Sequence, residues 1–239
     1  MVDKYEAKKY VAERIGEEHI IPTLGVWNHF DEIDFDALPD QFVLKCTHDS
    51  GGLVICTDKS KFDREVARKK IEHSLKRNFY WFGREWPYKN VPARIIAEKY
   101  MSEDKNDTES TFNEINGGLR DYKLYCFDGK VKLYLVTTDR SKGATTGDYF
   151  DEQNRHLDLI WGFPNAKTIP DVPNNIEKMK ELAEILAAGI PQLRVDFYCI
   201  HDKVYFGELT FFDGSGFDVI EQECYRDLLG DYIKLPTLV

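Results

Sequence analysis

Most of the motifs that assign a chain at a glance are missing from this sequence. Its five cysteines, Cys46, Cys56, Cys126, Cys199 and Cys224, form no C-x-x-C pair, which argues against a zinc ribbon or a thioredoxin-like site. Four of them sit in apolar, strand-like runs and read as small buried hydrophobes in a reducing compartment. No apolar run approaches the roughly 18 residues of a membrane-spanning helix. The opening MVDKYEAKKYVAERIGEEH has no signal-peptide core, so the expected location is the cytoplasm. The six histidines show neither H-E-x-x-H nor H-x-H, and neither G-x-x-x-x-G-K-[ST] nor G-x-S-x-G occurs. Positive charge is also short. Lys plus Arg count 32 against 42 Asp plus Glu, a net charge of -10, the reverse of what a passive nucleic-acid or anionic-membrane binder shows.

What remains is ample for a folded protein. In 239 residues, 42% are hydrophobic, enough for a sizeable core in one large domain or two small lobes. The pattern predicts a short helix over Lys4–Ile15 stopped by Gly16, then an acidic linker from Asp31 to Asp40. Phe42–Cys46 and Leu53–Cys56 read as strands joined by a glycine loop. A helix follows from Phe62 to about Asn78, with Phe62, Val66, Ala67, Ile71 and Leu75 on its apolar stripe. Asn78–Pro87 is an aromatic loop, Ala93–Tyr100 a strand, and Ser102–Gly118 a polar, mobile stretch. Two hairpins lie further on, one across Asp128-Gly129 and one across His201–Lys203, separated by a helix over Asn175–Ala188. The class is α+β with mostly antiparallel sheets and helices on one side.

Chemistry concentrates on the last hairpin. Strand alternation puts Arg194, Asp196 and Tyr198 on one face, and Phe206, Glu208 and Thr210 on one face of the partner strand. A three-residue turn would set Asp196 directly opposite Glu208, with Cβ atoms about 4.5–5.5 Å apart, where like charges repel. A hard divalent cation with oxygen ligands, Mg²⁺ first, resolves the conflict. The alternative is a solvated face on which Arg194 neutralises one acid, and a two-residue turn would leave the acids diagonal. Earlier in the chain, Lys45 stands in an apolar strand and needs an anion. Ser50-Gly51-Gly52 then offers backbone N–H groups to phosphate oxygens or serves as an ordinary hairpin loop. Lys123 either meets a phosphate or pairs with Asp121. Glu98 holds a ribose or is a rim carboxylate. Arg140 and Lys142 form a basic loop open to an anionic substrate. Asp34-Phe-Asp36 matches the Asp-x-Asp of nucleotide-sugar transferases but lies in the acidic linker.

The stretches FVLKCTHDSGG, IIAEKYM, LRDYKLYCFDGK, LRVDFY and VYFGELTFFDGSGF resemble the TupA-like ATP-grasp proteins of bacterial surface-polysaccharide clusters, over nearly the whole chain. The resemblance implies an ATP-grasp fold, two α+β lobes with ATP between them. Residues 1–40 would be an N-terminal helix and linker, 41–100 the smaller lobe and 101–239 the larger. It implies that Lys45 contacts ATP phosphates, that Ser50, Gly51 and Gly52 form the phosphate loop, and that Glu98, Lys99 and Tyr100 border the adenosine. Lys123 would face phosphates and substrate, Arg194 would stabilise the transferring phosphoryl group, and Asp196 and Glu208 would hold Mg²⁺. Arg140 would receive the substrate. The implied activity is a carboxylate–amine ligase using ATP and Mg²⁺ through an acyl phosphate. Its substrates would be a sugar acid or a glycan bearing a carboxylate, with an amine or amino acid, in capsule or cell-wall assembly. No nucleic-acid partner is expected, and recruitment to a membrane-bound glycan assembly stays open. A glycan kinase, a glycosyltransferase and a non-catalytic nucleotide sensor are the rival readings. Three departures stand out: only about 40 residues precede Phe42, Thr210 replaces a customary asparagine, and Asp49 puts an acid in the phosphate loop.

Overall fold

A computed structural model describes residues 1–102, 119–138 and 145–235. Two antiparallel sheets organise the chain. The smaller has four strands in the order β1-β4-β2-β3, formed by β1 (Thr23–Trp27), β2 (Phe42–Cys46), β3 (Leu53–Cys56) and β4 (Ile95–Lys99). The larger has six, ordered β10-β9-β5-β6-β7-β8. They are β5 (Asp121–Phe127), β6 (Lys130–Thr138), β7 (Thr146–Asp151), β8 (His156–Leu157), β9 (Gln192–Ile200) and β10 (Lys203–Thr210). The helices are α1 (Lys4–Ile15), α2 (Arg64–Leu75), the single turn α3 (Tyr80–Gly83), α4 (Ile176–Ala187) and α5 (Glu223–Asp231). The α+β class follows from this arrangement.

Each sheet buries its own core. Under the smaller one, α2 presses Ala67 and Ile71 against Phe42, Leu44, Cys46, Ile95 and Ala97. Ile33, Phe35 and Leu38 join them, so the stretch Asp31–Asp40 is core-forming and not the linker its acids suggested. Val66, placed on the apolar stripe by its spacing, faces out with 62% of its surface exposed. The larger sheet packs one face on α1 and α4, through Ala7, Val11, Ile15, Met179, Leu182 and Leu186. Its other face is closed at one end by Tyr125, Leu135, Tyr149 and Leu159 with Leu229 of α5. The opposite end of that second face is left for polar side chains.

Local signals explain several element ends. Asp3 caps α1 by accepting from the backbone N–H groups of Tyr5 (2.8 Å) and Glu6 (3.0 Å), an arrangement worth about 1 kcal/mol. Gly16 ends it at φ +102°, which side chains other than glycine's rarely tolerate. Cys46 and Cys56 are buried, and burial pushes their thiols up to about 12 and about 11, which keeps them unreactive.

Candidate active site

The last hairpin turns differently from expectation and still reaches the expected pairing. Lys203 pairs with Ile200, so the turn is the two residues His201 and Asp202, both at positive φ. From there the register runs one residue off, up to Phe206 opposite Phe197. A bulge at Gly207 then restores it, and Glu208 lies opposite Asp196 and Thr210 opposite Arg194. The extra residue also separates the faces. Phe206 and Leu209 enter the core, while Glu208 leaves it, so Phe206, Glu208 and Thr210 do not share one face. A Cβ at Gly207 would sit 3.1 Å from the carbonyl oxygen of Asp196, close enough to favour glycine at the bulge.

These acids are held by buried cations. Asp196 is 1% exposed and accepts from Arg194 Nε (2.7 Å), from Arg194 Nη2 (2.9 Å) and from Lys123 Nζ. Arg194 also donates to Glu208 (2.8 Å) and to Asp213, and the Tyr125 hydroxyl donates to Asp213 (2.5 Å). Lys123 sits opposite Asp196 on β5 and bridges to Asp121 as well, at 3.0 Å. Burial alone would raise the Asp196 carboxyl, but Arg194 and Lys123 outweigh it and hold it below the usual range. Burial would likewise lower Lys123, yet Asp196 and Asp121 hold it up. The cluster therefore places four carboxylates around two cations, leaving an excess of two negative charges.

The smaller sheet and the polar side of α1 present the complementary sign. Lys45 on β2 pairs with Glu98 on β4 at 2.6 Å. Lys8 of α1 reaches the same carboxylate and donates to the Ile21 carbonyl (2.6 Å) and to Thr23 Oγ1 (3.2 Å). Burial would raise Glu98, but Lys45 and Lys8 overcome it and depress the group to about 2. Lys4, one turn earlier, donates to the Asp49 carbonyl, and burial lowers its pKa. Asp49 turns its carboxylate toward its own loop, 3.4 Å from the Gly52 N–H. Gly51 has φ +128°, and a Cβ on Gly52 would come within 2.8 Å of Cys46 Sγ and Ser74. The loop thus needs the first glycine for its backbone and the second for its packing.

Both groups line one cleft of about 290 Å³, which holds Lys4, Lys45, the 50–52 loop, Lys123, Asp196 and Glu208 together. A narrower recess of about 100 Å³ adjoins it at Lys45 and Glu98. Val43, Leu53, Ile55 and Tyr100 give it apolar walls, and Lys99 lies at its border. An elongated anion with a flat apolar end matches this sequence of surfaces. The expected residues Lys45, Ser50, Gly51, Gly52, Glu98, Lys99, Tyr100, Lys123, Asp196 and Glu208 all line these two spaces, and Arg194 braces the acids from beneath. Arg140, expected to receive the substrate, and Lys142 lie outside the described residues, as does most of the polar stretch Ser102–Gly118. Asp34 and Asp36 stand apart: Asp34 caps its own turn and Asp36 pairs with Arg64.

Among the described residues, no three His, Cys, Asp or Glu side chains form a metal cage. Asp196 and Glu208 still offer two hard oxygen donors beside surplus negative charge. This fits Mg²⁺, which takes one or two carboxylates and completes its shell with water and phosphate oxygens. Sequence reasoning missed Lys4, Lys8 and Asp213. The first two are visible as a lysine pair four residues apart, flanking the stripe Ala7, Val11 and Ile15.

Comparison with known proteins bears on the fold and the family. A search of curated proteins gave no match. Among solved structures, the chain is similar to D-alanine–D-alanine ligase from Helicobacter pylori, at 15% identity and a TM-score of 0.53, covering 98% of this chain and 61% of that one. The corresponding ligase from Bacillus anthracis gives 14%, 0.48, 87% and 56%. N5-carboxyaminoimidazole synthetase from Staphylococcus aureus gives 14%, 0.48, 88% and 44%. Only the first exceeds 0.5 among these three, and it supports the fold alone; the chain spans about half to three fifths of the two ligases' length. The family described as TupA-like ATPgrasp matches residues 1–234, and the chain belongs to it.

Proposed function

We propose that the protein is an ATP- and Mg²⁺-dependent carboxylate–amine ligase that acts through an acyl phosphate in bacterial capsule or cell-wall polysaccharide assembly. The observation that carries this reading is the cleft itself. A lysine and a glycine loop on one sheet face two opposed acids and a lysine on the other, with an arginine beneath the acids. The apolar recess beside Tyr100 would take the base of ATP, and Lys45, Lys4 and the loop N–H groups would take its phosphates. Asp196 and Glu208 would hold Mg²⁺, which would supply charge neutralisation for the phosphates. A substrate carboxylate oxygen forms a bond to the γ-phosphorus as the bond to the ADP oxygen breaks. An amine then attacks the acyl carbon, inorganic phosphate leaves, and the amine loses a proton. Lys123 and Arg194 provide fixed positive charge for the first step, where catalysis consists of positioning and neutralisation.

The test is ATP turnover against a panel of sugar acids, amino acids and amines, with mass spectrometry of products. Release of ADP and phosphate only when carboxylate and amine are both present, with an amide product, is the expected result. Phosphate retained on a glycan hydroxyl would replace this reading with a kinase. Preference for a nucleotide sugar over ATP would replace it with a glycosyltransferase. ATP binding without turnover on any acceptor would leave a nucleotide sensor.

A further inference from the structure

The acidic balance of the whole chain hides a local reversal. Between Lys69 and Lys89 stand six Lys and Arg against two acids, Glu72 and Glu85. Glu85 is buried and accepts from Ser215 at 3.0 Å, while Glu72, its side chain 38% exposed, is paired with Arg68 at 3.2 Å. On α2, Val66, Lys69, Lys70 and His73, followed by Arg77, recur at helical spacing on the face turned from the core. Together they border a shallow concavity of about 520 Å³ that reaches Gly51 of the glycine loop.

The aromatic segment continues this surface. The Arg77 guanidinium lies 5.8 Å from the Phe82 ring, and Phe82 stacks with Phe79 at 6.3 Å. Tyr80 joins Trp81 (5.1 Å) to Trp86 (6.2 Å). Trp81, Phe82 and Trp86 are 62%, 78% and 65% exposed. Arg84 covers Trp81 at 4.5 Å and Lys89 covers Trp86 at 4.4 Å. Those cations occupy the ring faces that a sugar would need for stacking, while Phe82 carries no polar tip. Exposed tryptophan and phenylalanine interleaved with Arg and Lys suit the headgroup boundary of a bilayer, where rings enter the interface and cations meet anionic lipid.

We propose that this basic aromatic face, from Val66 to Lys89, docks the protein reversibly on an anionic membrane surface. Its occupant is a lipid bilayer bearing negative headgroups, and the interaction is peripheral. The surface borders the glycine loop, so docking sets the cleft beside the membrane. The inference does not depend on the ligase reading, because binding and turnover are measured separately.

Vesicle flotation of the full chain tests it, using phosphatidylcholine alone and phosphatidylcholine mixed with phosphatidylglycerol in equal parts. Binding to the mixed vesicles, absent on phosphatidylcholine and weakened by salt, is expected. The pair Lys69→Gln and Lys70→Gln should weaken it about thirtyfold, since each basic residue near such a surface contributes about 1 kcal/mol. The pair Trp81→Ser and Phe82→Ser should also release the protein, with an unchanged melting temperature because both rings are exposed. Failure of the native chain to float with anionic vesicles at low salt would overturn the proposal. So would equal flotation of native chain and both variants. If instead these substitutions abolish binding to soluble polygalacturonate, or self-association in sedimentation, while vesicles bind nothing, the occupant is a glycan or a second copy and the membrane assignment fails.

Discussion

Replacing Glu98 by glutamine perturbs a buried carboxylate that two lysines share in the cleft. The native carboxylate lies between Lys45 and Lys8 and has a pKa of about 2 against an ordinary value of 4.5. Each unit is worth about 1.4 kcal/mol, so the shift corresponds to about 3 kcal/mol of stability at neutral pH. Folding lowers this pKa, so the stabilisation is complete above pH 4.5 or so and is lost as pH falls through about 2. Glu98→Gln leaves two cations around a neutral amide, and breaking such a buried arrangement costs about 3–5 kcal/mol. For a chain of this size, a loss near 3 kcal/mol lowers the melting temperature by about 6–12 °C. Urea unfolding of native and variant protein at a series of pH values measures both effects. The gap between them should be widest at neutral pH and close as acid protonates the native carboxylate. A gap that stays constant from neutral pH to pH 2 would refute the argument, because the variant's cost would then owe nothing to the charge. Adding Lys8→Met should recover part of the loss, since one unpaired ammonium is removed.

Further expectations concern the cleft. Glu208→Gln should abolish Mg²⁺-dependent turnover with little change in melting temperature, as its side chain is 45% exposed; retained turnover would remove it from the metal site. Gly207→Val should lower both turnover and melting temperature, the latter by a few degrees, because its Cβ meets the Asp196 carbonyl; native-like turnover and stability would show that the bulge tolerates a side chain. Lys45→Ala and Lys4→Met should each weaken ATP binding about tenfold or more, read by calorimetry, and an unchanged affinity would exclude the residue from phosphate contact. Amide exchange in the Ser50–Gly52 loop should slow when ATP is added, and equal exchange in both states would argue against its covering the phosphates.

The fold was legible wherever one local rule acted alone. Asp128-Gly129 marked its hairpin because both residues adopt positive φ, as they do in the structure. Helix α1 was visible over Lys4–Ile15 with its stop at Gly16. Strand β1 was not, since Gly25 interrupts a short run whose pairing with β4 is itself irregular. The core contribution of Ile33, Phe35 and Leu38 was masked by the acids between them. At the site, Asp196 and Glu208 were found opposite one another by a count that contained two errors. The turn is one residue shorter than assumed, and a bulge adds one back. Strand alternation cannot reveal a bulge, because the space beside Gly207 is created by the partner strand. Lys4, Lys8 and Asp213 escaped because the contacts that give them meaning lie far away in sequence.

Helix α1 belongs by packing to the larger sheet, yet its polar side belongs to the smaller one. Its first residue donates a backbone hydrogen bond to Thr47 at 3.0 Å, Lys8 grips Glu98 and the chain before β4's partner strand, and Arg94 binds Asp3 at 2.9 Å. The helix works as a clasp across the two halves. Prising them apart as rigid bodies would have to break that clasp, so a widening of the cleft that leaves the clasp intact is confined to short segments such as the one around Gly51.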